Sequence, residues 1–129
     1  MRSPFALLML LCSATGLLGQ EACLCGSRHS VGPSFKVHGR LSAWNGTPTL
    51  RIWIVGTKRI LGVHEEGEVH LTTPLPKELM HPPASFVSFW NDEVYGDFEL
   101  CPLTKSRPGV MQFVCIKSAS NLVWMTRKK

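Results

Sequence analysis

Cations and aromatic rings alternate along the segment from residue 36 to residue 53, and this pattern is the one in the chain best suited to binding. Ammonium and guanidinium groups can neutralise an anionic ligand, and indole rings can stack on a sugar or another planar group. Such residues share one face of a strand pair because side chains alternate with a period of two. The same residues would also suit a solvated face whose tryptophans are covered by the segment 72–90. The candidate ligand-binding residues are Lys36, His38, Arg40, Trp44, Arg51 and Trp53.

Four residues that could ligate a metal ion occur between positions 64 and 70. His64, Glu66, Glu68 and His70 would share one face of an extended segment, and imidazole and carboxylate groups bind zinc and other divalent ions. Gly67 favours a turn, which would separate them. We therefore predict an exposed polar edge with no bound metal and no cofactor. A metal-binding protein is kept as an alternative.

The sequence contains no recognisable motif of an enzyme active site. It lacks the G-x-S-x-G elbow of serine hydrolases, and it lacks Walker, dinucleotide-binding and H-E-x-x-H motifs. Nucleophilic catalysis needs a nucleophile, a base and an orienting group, and the cysteines are better explained as disulfides. We predict that the protein is not an enzyme and has no catalytic residues. A small hydrolase with a pocket around His64 and His70 is the alternative.

The cysteines predict two disulfide bonds. Of the five cysteines, Cys12 lies in an N-terminal apolar segment, which leaves Cys23, Cys25, Cys101 and Cys115. An even number of cysteines in an exported chain is typical of disulfides, and a bond across the single residue between Cys23 and Cys25 would be strained. Each of these two is therefore expected to pair with Cys101 or Cys115, with both choices open. A zinc site is the alternative, although C-x-C lacks the two-residue knuckle of structural zinc sites.

Residues 1–22 have the pattern of a secretory signal peptide. Arg2 provides a positive charge, residues 5–12 are apolar, and small residues follow at 13–16. The apolar run is about half the length that a membrane-spanning helix needs, and no later run is longer. We predict cleavage at about 16–22, a periplasmic or extracellular location, and a single domain over residues 23–129 without a transmembrane segment.

Short strands separated by turns dominate the rest of the sequence. Alternation is clearest on either side of Asn45-Gly46, a strong hairpin signal that also forms an N-glycosylation acceptor with Thr47 in a eukaryotic pathway. Four prolines between 72 and 84 limit any helix there to one turn near 77–80. The pattern predicts a mainly β fold, either a small antiparallel OB-like barrel or a sandwich. Strands are expected at 35–44, 50–55, 58–63, 97–103, 110–116 and 121–126, a short helix or irregular segment at 85–95, and fraying at 127–129.

Four segments of the sequence together resemble a group of small exported bacterial proteins of unassigned function. The similar segments are Phe35-Lys36-Val37-His38-Gly39-Arg40-Leu41-Ser42, Arg51-Ile52-Trp53, Gly56-Thr57-Lys58-Arg59-Ile60-Leu61-Gly62-Val63 and Asp97-Phe98-Glu99-Leu100-Cys101-Pro102. The resemblance covers most of the chain after the signal peptide. It implies a bacterial envelope or secreted location and no particular activity.

A second resemblance is carried by Ala22-Cys23-Leu24-Cys25, which is similar to the start of tissue inhibitors of metalloproteinases and netrin-like domains. Those proteins are OB barrels in which both cysteines of the C-x-C are bridged to later strands. In the inhibitors, the N-terminal cysteine chelates the zinc of the protease through its amine and carbonyl. The resemblance implies a metalloprotease inhibitor acting through Cys23. The departures are a smaller number of cysteines and Gln20 at a position unfavourable for cleavage before Cys23.

The net charge of +5 favours acidic partners. The prediction that follows is a non-enzymatic binding module whose contact surface is the basic and aromatic face of the first hairpin. Its predicted partners are a polyanionic glycan, an anionic lipid or another envelope protein. The sequence does not predict the oligomeric state.

Overall fold

The computed structural model describes residues 23–25, 28–64 and 75–128. The predicted signal peptide and three of the candidate metal ligands, Glu66, Glu68 and His70, lie outside the described residues. The structure is mainly β, with one short 3-10 turn at Lys77–Leu79 where one turn of helix was expected. The strands are β1 (Leu24–Cys25), β2 (Arg28–His29), β3 (Phe35–Ala43), β4 (Leu50–Ile54), β5 (Ile60–Val63), β6 (Asp92–Pro102) and β7 (Gln112–Thr126).

Strands β3 to β7 form one sheet that closes into a ring in the order β3-β4-β5-β7-β6. All neighbouring strands are antiparallel except β5 and β7, which are parallel, with Leu61 opposite Gln112 and Val63 opposite Val114. The prediction of a mainly β fold with two disulfides is confirmed, and a single closed sheet agrees with the OB-like alternative rather than the sandwich. The parallel pairing of β5 with β7 is the exception to the antiparallel arrangement that the sequence predicted.

Alternate residues of the ring point inward and form the core. Leu41, Ile52, Leu61, Phe98 and Leu100 are completely buried there. Removing each such side chain from water contributes about 1.5–3 kcal/mol, which is the main term that offsets the entropy lost on ordering the strands. The even-numbered residues of β3 and the odd-numbered residues of β4 are thereby turned outward.

Strand β7 is one long strand where the sequence predicted two. The pairing with β6 shifts register twice, so that Leu100 faces Ile116 while Glu99 faces Ser118, and Tyr95 faces Val123 while Asp97 faces Ser120. Asn121 has a φ of 51° within the second shift. Extra residues at bulges interrupt alternation and bend a strand without ending it. The predicted strands at 110–116 and 121–126 are therefore two parts of the same bent strand.

Strand β6 begins at Asp92, five residues before its predicted start at 97. Residues 81–91 form turns and irregular backbone, which agrees with the irregular alternative at 85–91. The prediction is wrong at 92–95, which belong to β6. The carboxylate of Asp92 accepts hydrogen bonds from the backbone N–H of Val87 and Ser88, at 2.8 and 3.3 Å. This contact fixes the irregular segment against the start of β6.

The two disulfides join the ring to the segment that contains β1 and β2, which we call the N-terminal arm. They join Cys23 to Cys101 and Cys25 to Cys115, which selects one of the two arrangements that the sequence left open. Cys101 and Cys115 face each other directly on β6 and β7. The C-x-C segment therefore crosses two adjacent strands, and the four cysteines form no zinc site.

Candidate binding surface

The structure brings most of the predicted binding residues to one outer face of the ring. Lys36, His38 and Arg40 project outward from β3, and Trp53 of β4 lies opposite Arg40. Arg51 lies opposite Ser42, one step further along the same strand pair. Trp44 follows the last residue of β3 and donates its indole N–H to the hydroxyl of Ser42 at 3.1 Å.

Acidic residues of the neighbouring strand β6 neutralise much of the β3 part of this face. The Nδ1 atom of His38 is 2.9 Å from an oxygen of Asp97, and the Nε atom of Arg40 is 3.4 Å from an oxygen of Glu93. Lys36 lies opposite Glu99 in the strand register. The β3 cations that the sequence singled out are thus in large part surrounded by carboxylates and are less available to an anionic ligand.

Hydrogen bonds to Asp97 and Glu99 favour the charged forms of these two carboxylates. The amide of Asn121 at 2.8 Å, followed by the ring of His38, lowers the pKa of Asp97. The hydroxyl of Ser34 at 2.8 Å is the main cause that lowers the pKa of Glu99. Both groups therefore remain anionic at neutral pH and keep balancing the cations of β3.

Arg51 has a structural role in the hairpin loop 44–49. Its guanidinium donates to the carbonyl oxygens of Pro48 at 3.0 Å and Asn45 at 3.4 Å. The loop is longer than the two-residue turn that Asn45-Gly46 suggested, although Gly46 adopts the positive φ of 111° that such a turn requires. The arginine satisfies two loop carbonyls that no strand partner reaches.

An arginine lies over the ring of each of the two tryptophans of the predicted face. The guanidinium carbon of Arg40 lies 4.9 Å from the centre of the Trp53 ring, and that of Arg127 lies 4.7 Å from the centre of the Trp44 ring. These distances are those of cation–π contacts. Arg127 also donates to the carbonyl oxygen of Ala43 at 2.7 Å, so the expectation that it belongs to a frayed end is wrong.

Three adjoining depressions form a continuous surface, which we call the basic–aromatic band. The central one, about 350 Å³ in volume, is lined by Arg40, Trp44, Trp53, Lys58 and Ile60. Arg40 and Trp44 also line a second depression with Tyr95, Arg127 and Lys128. Lys58 and Ile60 also line a third, about 690 Å³, with Arg59 and Arg107. In the part of the chain that the structure describes, the lining carboxylate is Glu93 and the lining cations are Arg40, Lys58, Arg59, Arg107, Arg127 and Lys128.

Sequence analysis did not select Lys58, Arg59, Arg107 or Arg127 because it considered the outer face of the first hairpin alone. The parallel pairing of β5 with β7 places the beginnings of these two strands side by side. The turn before β5 and the loop before β7 consequently meet at one end of the ring. A sequence signal existed, since both connections contain cations, but using it required the correct strand order.

Among the described residues there is no cluster of three or more His, Cys, Asp or Glu side chains that could hold a metal ion. His64 follows β5, and its backbone N–H donates to Val114 at 2.8 Å. None of the helices in the described part of the chain is long and apolar enough to cross a membrane.

The backbone nitrogen and carbonyl oxygen of Cys23 are both hydrogen-bonded within the arm. These are the two groups that the resemblance to metalloproteinase inhibitors would assign to binding a protease zinc. The nitrogen of Cys23 donates to the hydroxyl of Ser30 at 3.0 Å, and its carbonyl oxygen accepts from the backbone N–H of Ser30 at 2.9 Å. A metal ion bound by these two atoms would have to share them with the hydrogen bonds to Ser30. This geometry favours the basic–aromatic band over Cys23 as the candidate site.

Comparisons with models of known protein families, with curated proteins and with solved structures find no match to this chain.

Proposed function

We propose that this chain is an exported, non-enzymatic module that binds an anionic polysaccharide along the basic–aromatic band. The observation that carries the proposal is the charge balance of the band, whose lining by described residues contains six named cations and one acid, Glu93. Glu93 is itself largely buried beside Arg40. An extended concave surface with this imbalance attracts a polyanion.

The tryptophans support a polysaccharide more than a nucleic acid. Binding of single-stranded nucleic acid depends strongly on bases stacking against free aromatic faces. Here an arginine covers one face of Trp44 and one face of Trp53, and both indole N–H groups are used within the chain, that of Trp53 by the carbonyl of Thr57 at 2.7 Å. The rings therefore act as supports that fix guanidinium groups, which suits recognition of sulfate or carboxylate groups.

Retention on an immobilised sulfated polysaccharide tests the proposal. The double variant Lys58→Glu/Lys128→Glu reverses one exposed cation in each of the two outer depressions of the band and should elute at a clearly lower salt concentration than the wild type. The double variant Arg28→Glu/Lys77→Glu makes the same change in net charge at residues that do not line the band, and should elute close to the wild type. Equal elution of the two variants would assign retention to total charge and refute the band.

A further inference from the structure

We infer that the groove between the turn 55–59 and the loop 103–111 is a subsite for an anionic substituent, with Lys58 and Arg107 as the binding groups. This inference rests on the proposed function and names the part of the ligand that the groove holds. Among the described residues, the groove, about 690 Å³ in volume, is lined by three cations, Lys58, Arg59 and Arg107, and by no acidic side chain.

The two connections that form the groove are held in place by their own hydrogen bonds. In the turn 55–59, the hydroxyl of Thr57 donates to the carbonyl of Ile54 at 2.8 Å and accepts from the backbone N–H of Arg59 at 3.0 Å. In the loop 103–111, the backbone N–H of Val110 donates to the carbonyl of Arg107 at 3.3 Å, and Gly109 has the positive φ of 73° that the tight turn requires. A site fixed before binding loses less entropy when the ligand arrives.

The three cations of the groove differ in their availability. Arg59 bridges the connections, because its guanidinium donates to the hydroxyl of Ser106 at 3.2 Å and to the side-chain oxygen of Gln112. Lys58 and Arg107 are exposed and make no side-chain hydrogen bond or ion pair with the described residues. Arg59 therefore holds the groove together and adds charge, while the other two groups are free to bind.

The chemistry of the groove fits a compact anionic group on a polysaccharide. An arginine can donate two parallel hydrogen bonds to a sulfate or carboxylate, and a lysine adds a mobile point charge. Lys58 and Ile60 line both this groove and the central depression beside Trp53. A chain lying along the central depression can thus place a charged substituent in the groove.

Titration of the full chain with two labelled oligosaccharides of equal length, one sulfated and one bearing carboxylates alone, tests the inference. Lys58→Ala/Arg107→Ala should weaken binding of whichever oligosaccharide the wild type binds by on the order of tenfold. The variant Lys58→Ala/Arg107→Lys should recover part of this loss. The lysine at position 107 keeps the positive charge, but it cannot donate the two parallel hydrogen bonds of an arginine. Arg28→Ala serves as the control, and thermal unfolding checks that each variant is folded.

The outcomes separate this inference from the proposed function. If Lys58→Ala/Arg107→Ala binds as the wild type does while Lys128→Ala binds more weakly, the groove is not a subsite and the band remains the binding surface. If the wild type binds neither oligosaccharide, the proposed function fails and the inference fails with it. Preference for the sulfated or the carboxylated ligand identifies the substituent.

Discussion

Asp97 connects three strand positions through its two carboxylate oxygens. One oxygen is 2.9 Å from the Nδ1 atom of His38 on β3, and the other accepts a hydrogen bond from Asn121 at the second bulge of β7. The carboxylate therefore holds the bulge against β6 and balances a potential positive charge on β3. These contacts favour the ionised form of Asp97 and lower its pKa below the ordinary value of 3.8.

Replacing Asp97 by asparagine should make the stability of the protein less sensitive to acid. A carboxyl group whose pKa is lower in the folded state contributes stability above its unfolded pKa, and this contribution is lost as the pH falls through the folded pKa. The wild type should therefore lose more stability than Asp97→Asn between about pH 5 and pH 2. Urea unfolding midpoints measured across that range provide the test.

Glu78→Gln is a suitable control for this prediction because it removes a carboxylate from the 3-10 turn, away from β3 and β6. Parallel pH profiles for the wild type and Asp97→Asn would show that the contacts to Asn121 and His38 do not stabilise the folded state. A pH profile that differs from the wild type in Asp97→Asn but not in Glu78→Gln would support a stabilising role for these contacts.

At the scale of single residues, the sequence predicted which side chains share a face but not their electrostatic surroundings. Alternation places His38 and Arg40 together because they lie on one strand. Their partners Asp97 and Glu93 come from a strand more than fifty positions later in the chain. Pairing of this kind depends on register across strands, which local patterns do not contain.

The curvature of strands β3 and β6 depends on a pair of glycines. Gly39 and Gly96 face each other across the two strands. A Cβ atom at Gly39 would lie 2.5 Å from the Cγ2 of Ile52, and one at Gly96 would lie 2.6 Å from the Cδ2 of Leu122. Small residues at these positions let the interior of a narrow ring close without steric conflict.

Gly39→Ala should destabilise the protein by about 1–3 kcal/mol, because the added methyl group overpacks a buried site. The backbone oxygen of Trp53, 3.1 Å from the ideal Cβ position, restricts the movement that could relieve the conflict. The measurement is the free energy of unfolding in urea. Gly32→Ala is the matched control, since its Cβ would find its nearest neighbour, the Cγ of Pro102, at 3.7 Å. Equal stabilities for the two variants would contradict this account of the ring.

Element boundaries were predictable where the strand was regular and were not where it was bent. Strands β3 and β4 differ from their predicted ranges by one residue at one end, because both alternate without interruption. The turn 55–59 delays the start of β5 to Ile60, and the bulges of β7 and the irregular segment before β6 moved other boundaries. The parallel contact of β5 with β7 is a long-range pairing and left no local signal, which is why the groove beside Arg107 was not predicted.

On the scale of the whole molecule, a short N-terminal arm is attached to a closed ring at a single place. Strands β1 and β2 form a separate two-stranded sheet, and both disulfides join β1 or the residue before it to the facing cysteines of β6 and β7. Cys25 and Cys101 are almost completely buried at this junction. None of the described residues of the arm lines the basic–aromatic band, so the proposed binding surface belongs to the ring.

The disulfide that joins Cys25 to Cys115 should contribute to stability even when the bond between Cys23 and Cys101 is kept. Because that bond already closes the long loop, the second bond closes a further loop of about 16 residues, which in the chain-entropy model restricts the unfolded state by about 3 kcal/mol. The double variant Cys25→Ser/Cys115→Ser keeps the bond between Cys23 and Cys101 and leaves no unpaired thiol from the removed bond. It should unfold at a clearly lower urea concentration than the wild type under non-reducing conditions. If a reducing agent added to the wild type left the unfolding midpoint unchanged, the ring would be shown to hold its stability without the arm, and this prediction would be wrong.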